Sequence, residues 1–154
     1  MGFKESMATF YPISNKANID DYADMGQLPP PCIVYNVDRF PSSVEVKCVI
    51  GLHVYLREGS EYHITINAYD TNGDMVSKKV GDLISDHNFF DIIFGDGTVS
   101  YFLNSRLNSI EFKESGVYEL RATMYSGLAG DANRVELSKL SSYLYVTTGA
   151  LNAR

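Results

Sequence analysis

The chain has 154 residues, 45% of them hydrophobic and 21% charged, and a formal charge of −6. That length fits one domain burying about two thirds of its unfolded surface, and the balanced composition excludes a disordered or fibrous chain. Acidity without a run of Lys or Arg excludes the basic stripe that nucleic-acid binding needs, and no apolar stretch reaches the ~20 residues that cross a bilayer.

Residues 1–28 read as an N-terminal segment. It has no basic stretch followed by an apolar core, so the expectation is a soluble, cytoplasmic protein. Within it, "ANIDDYADMG" (17–26) can make a helical turn or two. The three prolines at 29–31 must be extended and close this segment before a core expected over 32–148.

"CIVYNV" (32–37) reads as a strand. In "SVEVKCVIGLHVYL", residues Val44, Val46, Cys48, Ile50, Leu52, Val54 and Leu56 fall on even positions, which in a strand share one face. After "REGSE", Tyr62, Ile64, Ile66 and Ala68 repeat the pattern. The spacing predicts a hairpin in which Leu56 faces Tyr62 and Val54 faces Ile64. That register makes His53 and His63 diagonal neighbours, but zinc needs a third and usually a fourth ligand, and none joins that face. Cys32 and Cys48 lack C-x-x-C spacing and read as reduced, buried thiols, paired only if their segments are neighbours.

Asp70, Asn72 and Asp74 match positions 1, 3 and 5 of a calcium loop. However, Met75 stands where the loop needs Gly and Gly81 where it needs a bidentate Glu. A three-residue hairpin loop, Thr71-Asn72-Gly73, explains the same letters. Asp70 starts a type I turn, Gly73 takes the left-handed position, and Ala68 faces Val76 and Ile64 faces Val80.

"MVSKKV" (75–80) reads as a strand, and "SDHNFFDIIF" (85–94) as a helix starting from a Ser85 or Asp86 cap. His87 and Asp91 there have i, i+4 spacing, but no nucleophile motif such as G-x-S-x-G accompanies them. "TVSYFLN" (98–104), "NSIEF" (108–112), "VYELRATMYS" (117–126), "RVELS" (134–138) and "SYLYVTT" (142–148) each read as strands. "SGLAGDANR" (126–134) lacks the Lys-Ser/Thr ending of a phosphate loop and reads as a strand connection. With no repeat or linker, the expectation is a single all-β domain over 1–154. Its form would be an antiparallel immunoglobulin-like β-sandwich of 8–9 strands with one or two short helical turns.

The order of phrases, "RFPSSVEVKCVIGLHVYLREGSEYHITINAYDTNGDMV", "IEFKESGVYELRATMY" and "SYLYVTT", resembles uncharacterised small bacterial and phage proteins with an immunoglobulin-like β-sandwich. The resemblance spans residues 32–148. It implies that fold and a bacterial or mobile-element origin, and brings no catalytic residues.

The aromatic set is eleven Tyr, eight Phe and no Trp. Tyr35, Tyr55, Tyr69, Tyr101 and Tyr125 occupy odd, outward positions and form the expected interaction surface, since Tyr supplies large contact area at small entropy cost. The reading is a non-enzymatic module that binds a protein partner or itself, with no catalytic residue, cofactor, metal, nucleic acid or membrane. The alternative is a carbohydrate- or small-ligand-binding sandwich, which the missing Trp disfavours. A small hydrolase comes third, because no nucleophile, paired carboxylate or ligand set is legible.

Overall fold

A computed structural model describes residues 4–55, 61–77, 81–82, 84–93, 97–127 and 132–149, with the backbone alone at 81–82, 84–93 and 108–109. In chain order the elements are β1 (Ser6–Ile13), α1 (Ile19–Asp24), β2 (Val34–Asn36), β3 (Ser42–Tyr55) and β4 (Tyr62–Tyr69). After them come β5 (Gly81–Asp82), β6 (Ile84–Ile93), β7 (Thr98–Phe112), β8 (Gly116–Ser126) and β9 (Val135–Thr147). One sheet has the order β1-β3-β7-β6 and the other β2-β9-β8-β4-β5. The first order corresponds to the A-B-E-D sheet of a variable-type immunoglobulin sandwich, and β9-β8-β4-β5 to its G-F-C-C′ run, with β2 added at the edge beside β9. All pairings are antiparallel except β2 with β9. The all-β sandwich expected from the alternation is therefore the fold.

Period-two burial builds the core. Val46, Cys48, Ile50, Leu52 and Val54 of β3 and Ile64, Ile66 and Ala68 of β4 are all buried in one cluster with Leu120, Met124, Leu144 and Val146. Each large aliphatic side chain buried there contributes on the order of 1.5–3 kcal/mol. The core contains no inter-sheet disulfide. Two residues past Tyr118, where antibody domains carry the second half-cystine, β8 has Leu120. Tyr118 itself forms the tyrosine corner, its hydroxyl donating to the Glu114 carbonyl at 2.7 Å and its ring edge-on to Phe112.

β3 and β4 do not form the expected hairpin. β3 lies between β1 and β7, whereas β4 lies in the other sheet between β8 and β5. Six residues can span at most roughly 20 Å, enough for a connection across a gap of about 10 Å between sheets. The two even faces thus meet across the core rather than side by side. The Tyr62 hydroxyl ties the strand ends together by accepting from the Tyr55 amide at 3.0 Å. Leu56 lies outside the described residues.

Of the expected helix at 85–94, residues 85–93 form a strand instead, and residue 94 lies outside the described residues. β6 pairs along the edge of β7, with register shifts on either side of Asn88, and pairing overrides a weak local helical preference. The phrases at 98–104 and 108–112 fuse into β7, because residues 105–107 between them pair in register with β3 and a bulge at 108–109 takes up the extra residue. There β3 advances from Val44 to Val46 while β7 steps from Ile110 to Leu107. The phrases at 134–138 and 142–148 likewise fuse into β9. The N-terminal segment supplies β1, which buries Met7 and Phe10 in the inner core.

The Asp70 turn forms as expected. Gly73 has φ +83°, its amide donates to the Asp70 carbonyl at 3.0 Å, and Asp70 Oδ1 accepts from the amides of Asn72 and Asp74, both at 2.9 Å. The Val76 amide reaches the Ala68 carbonyl at 2.8 Å. Beyond it, the Ser77 hydroxyl takes the Ala68 amide and the ladder resumes at Ile66↔Gly81. The expected partner of Ile64, Val80, lies outside the described residues.

Both cysteines are free. The Cys32 amide donates to the Pro12 carbonyl, and Pro12 stands opposite Cys48 in β3. One strand therefore lies between the two residues, which sets their backbones about 9–10 Å apart at the spacing of neighbouring strands, beyond the Cα separation of a disulfide.

Candidate interaction face

The outer surface of the five-stranded sheet is built in rows set by the register. Val34, Tyr145 and Val117 stand side by side on β2, β9 and β8. The next row is Tyr143, Glu119 and Tyr69, followed by Ser141, Arg121 and Asn67. The alternation in "SYLYVTT" explains why these side chains are outside. Leu144 and Val146 are fully buried while Tyr143 and Tyr145 are 59% and 42% exposed, beside Val117 at 46%. Ile33, just before β2, extends this apolar end.

At the centre a charge pair is held in place. Arg121 donates from Nε and Nη2 to the two carboxylate oxygens of Glu119 at 3.1 and 3.0 Å, and the Ser141 hydroxyl donates to the same carboxylate at 2.6 Å. The hydrogen bonds from Arg121, then that from Ser141, hold the Glu119 carboxyl below its ordinary range. Arg121 also lies 4.2 Å over the Tyr69 ring, a cation–π contact that fixes the guanidinium plane. The Tyr145 hydroxyl is lowered from its usual range by hydrogen bonds with Ser115 and then Thr147. A hollow of about 310 Å³ lies at the end of this face, lined by Asp70, Thr71, Gly73, Val117, Glu119 and Tyr143.

Of the five tyrosines expected on one surface, two are there. Tyr69 packs under Arg121, and Tyr125 lies between His63, ring centroids 6.3 Å apart, and Arg134, 4.2 Å from its ring. Tyr55 lies on the outer side of the opposite sheet, opposite Thr98. Tyr35 is a correction, being 4% exposed within the inner core. Its hydroxyl donates to the Ile13 carbonyl and accepts from the Lys47 amide, and burial pushes it well above the usual tyrosine range. Tyr101 is a second correction, because it stands opposite inward-facing Leu52 and packs against the core. Odd numbering has no common phase across strands, and the β7 bulge inverts parity within that one strand. Tyr143 and Tyr145 were missed, although the Tyr-Leu-Tyr-Val alternation carries the signal.

His53 and His63 fall on different sheets and are not neighbours. His53 Nδ1 lies 2.7 Å from the Ser100 hydroxyl in a cross-strand pair. Ser100 is laddered on both sides, to His53 and Ile92, so the surrounding backbone amides serve the sheet rather than an oxyanion. The side chains of His87 and Asp91 lie outside the description, and their strand setting removes the helical spacing that paired them. Among the described residues no three His, Cys, Asp or Glu side chains gather as a metal set, and no helix is long and apolar enough to cross a membrane.

No family profile and no curated protein matches the chain. Among solved structures it is similar to a family 123 glycoside hydrolase from Clostridium perfringens, described for glycolipid glycan hydrolysis, at 13% identity and a TM-score of 0.35. That match covers 94% of this chain and 27% of the hydrolase. It is also similar to the collagen-binding domain from a Staphylococcus aureus adhesin, at 8% identity and a TM-score of 0.24, over 72% of this chain and 99% of that one. The chain spans about a quarter of the hydrolase, and both likenesses are of general β architecture.

Proposed function

We propose that the protein is a non-enzymatic interaction module that binds a protein partner, or assembles with itself, through the outer face of its five-stranded sheet. The observation that carries this reading is the contiguous exposure of Tyr143, Tyr145, Val117 and Val34 on strands whose alternate residues are locked in the core. Rings held on a sheet lose little freedom on binding, and the Glu119–Arg121 pair is already oriented beside them, so the ordering penalty of association is small.

The test is capture of a partner from the native host's extract, with light scattering of the purified protein for self-association. Replacing both rings (Tyr143→Ala with Tyr145→Ala) is expected to weaken capture or self-association by roughly tenfold or more. Tyr55→Ala, on the opposite sheet, leaves it intact. Undiminished association of the double variant overturns the reading.

The alternative, a carbohydrate- or small-ligand-binding sandwich, is favoured by the hollow beside Tyr143, where an exposed ring and two carboxylate residues meet. A glycan array without binding dismisses it.

A further inference from the structure

β2 is an edge strand that uses one of its two hydrogen-bonding sides. The Ile33 carbonyl accepts from the Tyr145 amide at 2.8 Å, and the Val37 amide donates to the Thr147 carbonyl at 2.9 Å. Residues 33, 35 and 37 thus turn their backbone groups toward β9, and by the two-residue period Val34 and Asn36 turn theirs away. Among the described residues one of those four outward groups has a partner, the Val34 carbonyl, which accepts from the Cys32 thiol at 3.2 Å. A thiol is a weak donor that gives way to an amide. Sheet edges are commonly guarded by a charge, a proline or a covering element, and Ile33–Val37 carries neither charge nor proline. Beside this edge lies a cleft of about 730 Å³ between β2 and the start of β3, lined by Ser14, Asn15, Val37, Pro41, Ser43 and Val44. β1 ends opposite Lys47, so no described strand takes the place next to residues 42–46 on the side away from β7. On its outer side the edge joins the tyrosine face, where Val34 is 41% exposed in the row of Tyr145 and Val117, with Ile33 next to it at 64%.

We propose that the partner of this module is a protein that contributes an extended segment, added to β2 as a further antiparallel strand of the five-stranded sheet. This deepens the interaction reading above and rests on it. A segment of about five residues matches the stretch 33–37. β2 has three residues, too few to hold a strand by backbone bonds alone, so side-chain contacts must add to them. The residue opposite Val34 faces outward and is apolar, continuing the row of Val34, Tyr145 and Val117. Residues beside it point into the cleft, toward Asn15 and Ser43, and are polar or small.

The test selects binders to the intact protein from a phage-displayed library of linear peptides. The expected binders alternate apolar and polar residues and shift the amides of residues 33–37 and 42–46 in an NMR titration. Methylating the backbone nitrogens of the binder that face β2 keeps its side chains and should weaken binding by roughly tenfold or more. Val34→Pro removes an outward N–H that the pairing with β9 does not use and should weaken binding by a similar factor. Asn36→Pro does the same one rung on, should Val34→Pro disturb the fold. The proposal is overturned if no peptide is selected, if the shifts fall elsewhere, or if the methylated peptide binds as tightly as its parent. Capture from the host extract separates the two readings. Loss in Tyr143→Ala with Tyr145→Ala but not in Val34→Pro keeps the tyrosine face and removes the added strand. Loss in Val34→Pro alone keeps the strand and removes the face, loss in both supports both, and loss in neither removes both.

Discussion

The two sheets have the same alternation but different outer faces. Outside the four-stranded sheet, Ile13, Ile19 and Val49 are buried in a second small core with Tyr11, Tyr22, Leu28 and Phe102, under the segment that holds α1. Tyr11 ties that cover down by donating to the Pro29 carbonyl. Outside the five-stranded sheet, the corresponding positions carry Tyr143, Tyr145 and Val117 open to solvent. A sheet face that is packed contributes to stability. A face that stays rigid and bare while carrying aromatic side chains is available for association.

This contrast can be broken by mutation. The largest effect is expected for Ile13→Ala, which empties the second core and should lower stability by about 2–5 kcal/mol in urea unfolding. Tyr143→Ala on the bare face should stay within about 0.5 kcal/mol. Equal losses at the two sites would erase the distinction. Next is Gly51→Ala, since a Cβ there meets Phe102 Cε1 at 2.9 Å and Thr9 Cγ2 at 3.0 Å. Overpacking of this kind costs about 1–3 kcal/mol, read as a lower melting temperature.

Smaller still is Asn18→Ala. The Asn18 side chain caps α1 by accepting from the Asp20 amide at 3.1 Å, and its loss should cost about 1 kcal/mol. Hydrogen exchange should rise in the α1 amides and not in β8.

The smallest effect concerns Glu119. Its folded carboxyl is depressed, first by Arg121 and then by Ser141, so its contribution is present above the ordinary carboxylate pKa and is lost as pH falls through the lower folded value. For so exposed a pair the effect is about 0–1 kcal/mol. Melting of the native protein should fall slightly more steeply in acid than melting of Glu119→Gln, and identical slopes would remove the pair from the stability of this face.

Much of the inner lining was legible from sequence. The even positions of β3 and β4 needed only the two-residue period, and the Asp70 turn needed only a side-chain acceptor and, three residues on, a left-handed glycine. The candidate face was half legible. Tyr69 and Tyr125 were placed outward correctly, but Tyr35 and Tyr101 were assigned by a parity that neither a new strand nor a bulge preserves. The cover over Val49 was not legible at all, because Ile13 and Ile19 acquire a partner only when the N-terminal segment folds back onto β3.

By itself the sequence determined the inward alternation of β3 and β4, most of the strand phrases between 98 and 148, and how the chain reverses at Asp70. These depend on interactions between residues a few positions apart. Only the tertiary structure decided that β3 and β4 face each other across the core instead of pairing, that residues 84–93 become an edge strand, and which outer surface is covered. Those outcomes depend on contacts between residues distant in the chain, where burying a whole face outweighs the preference of any short segment.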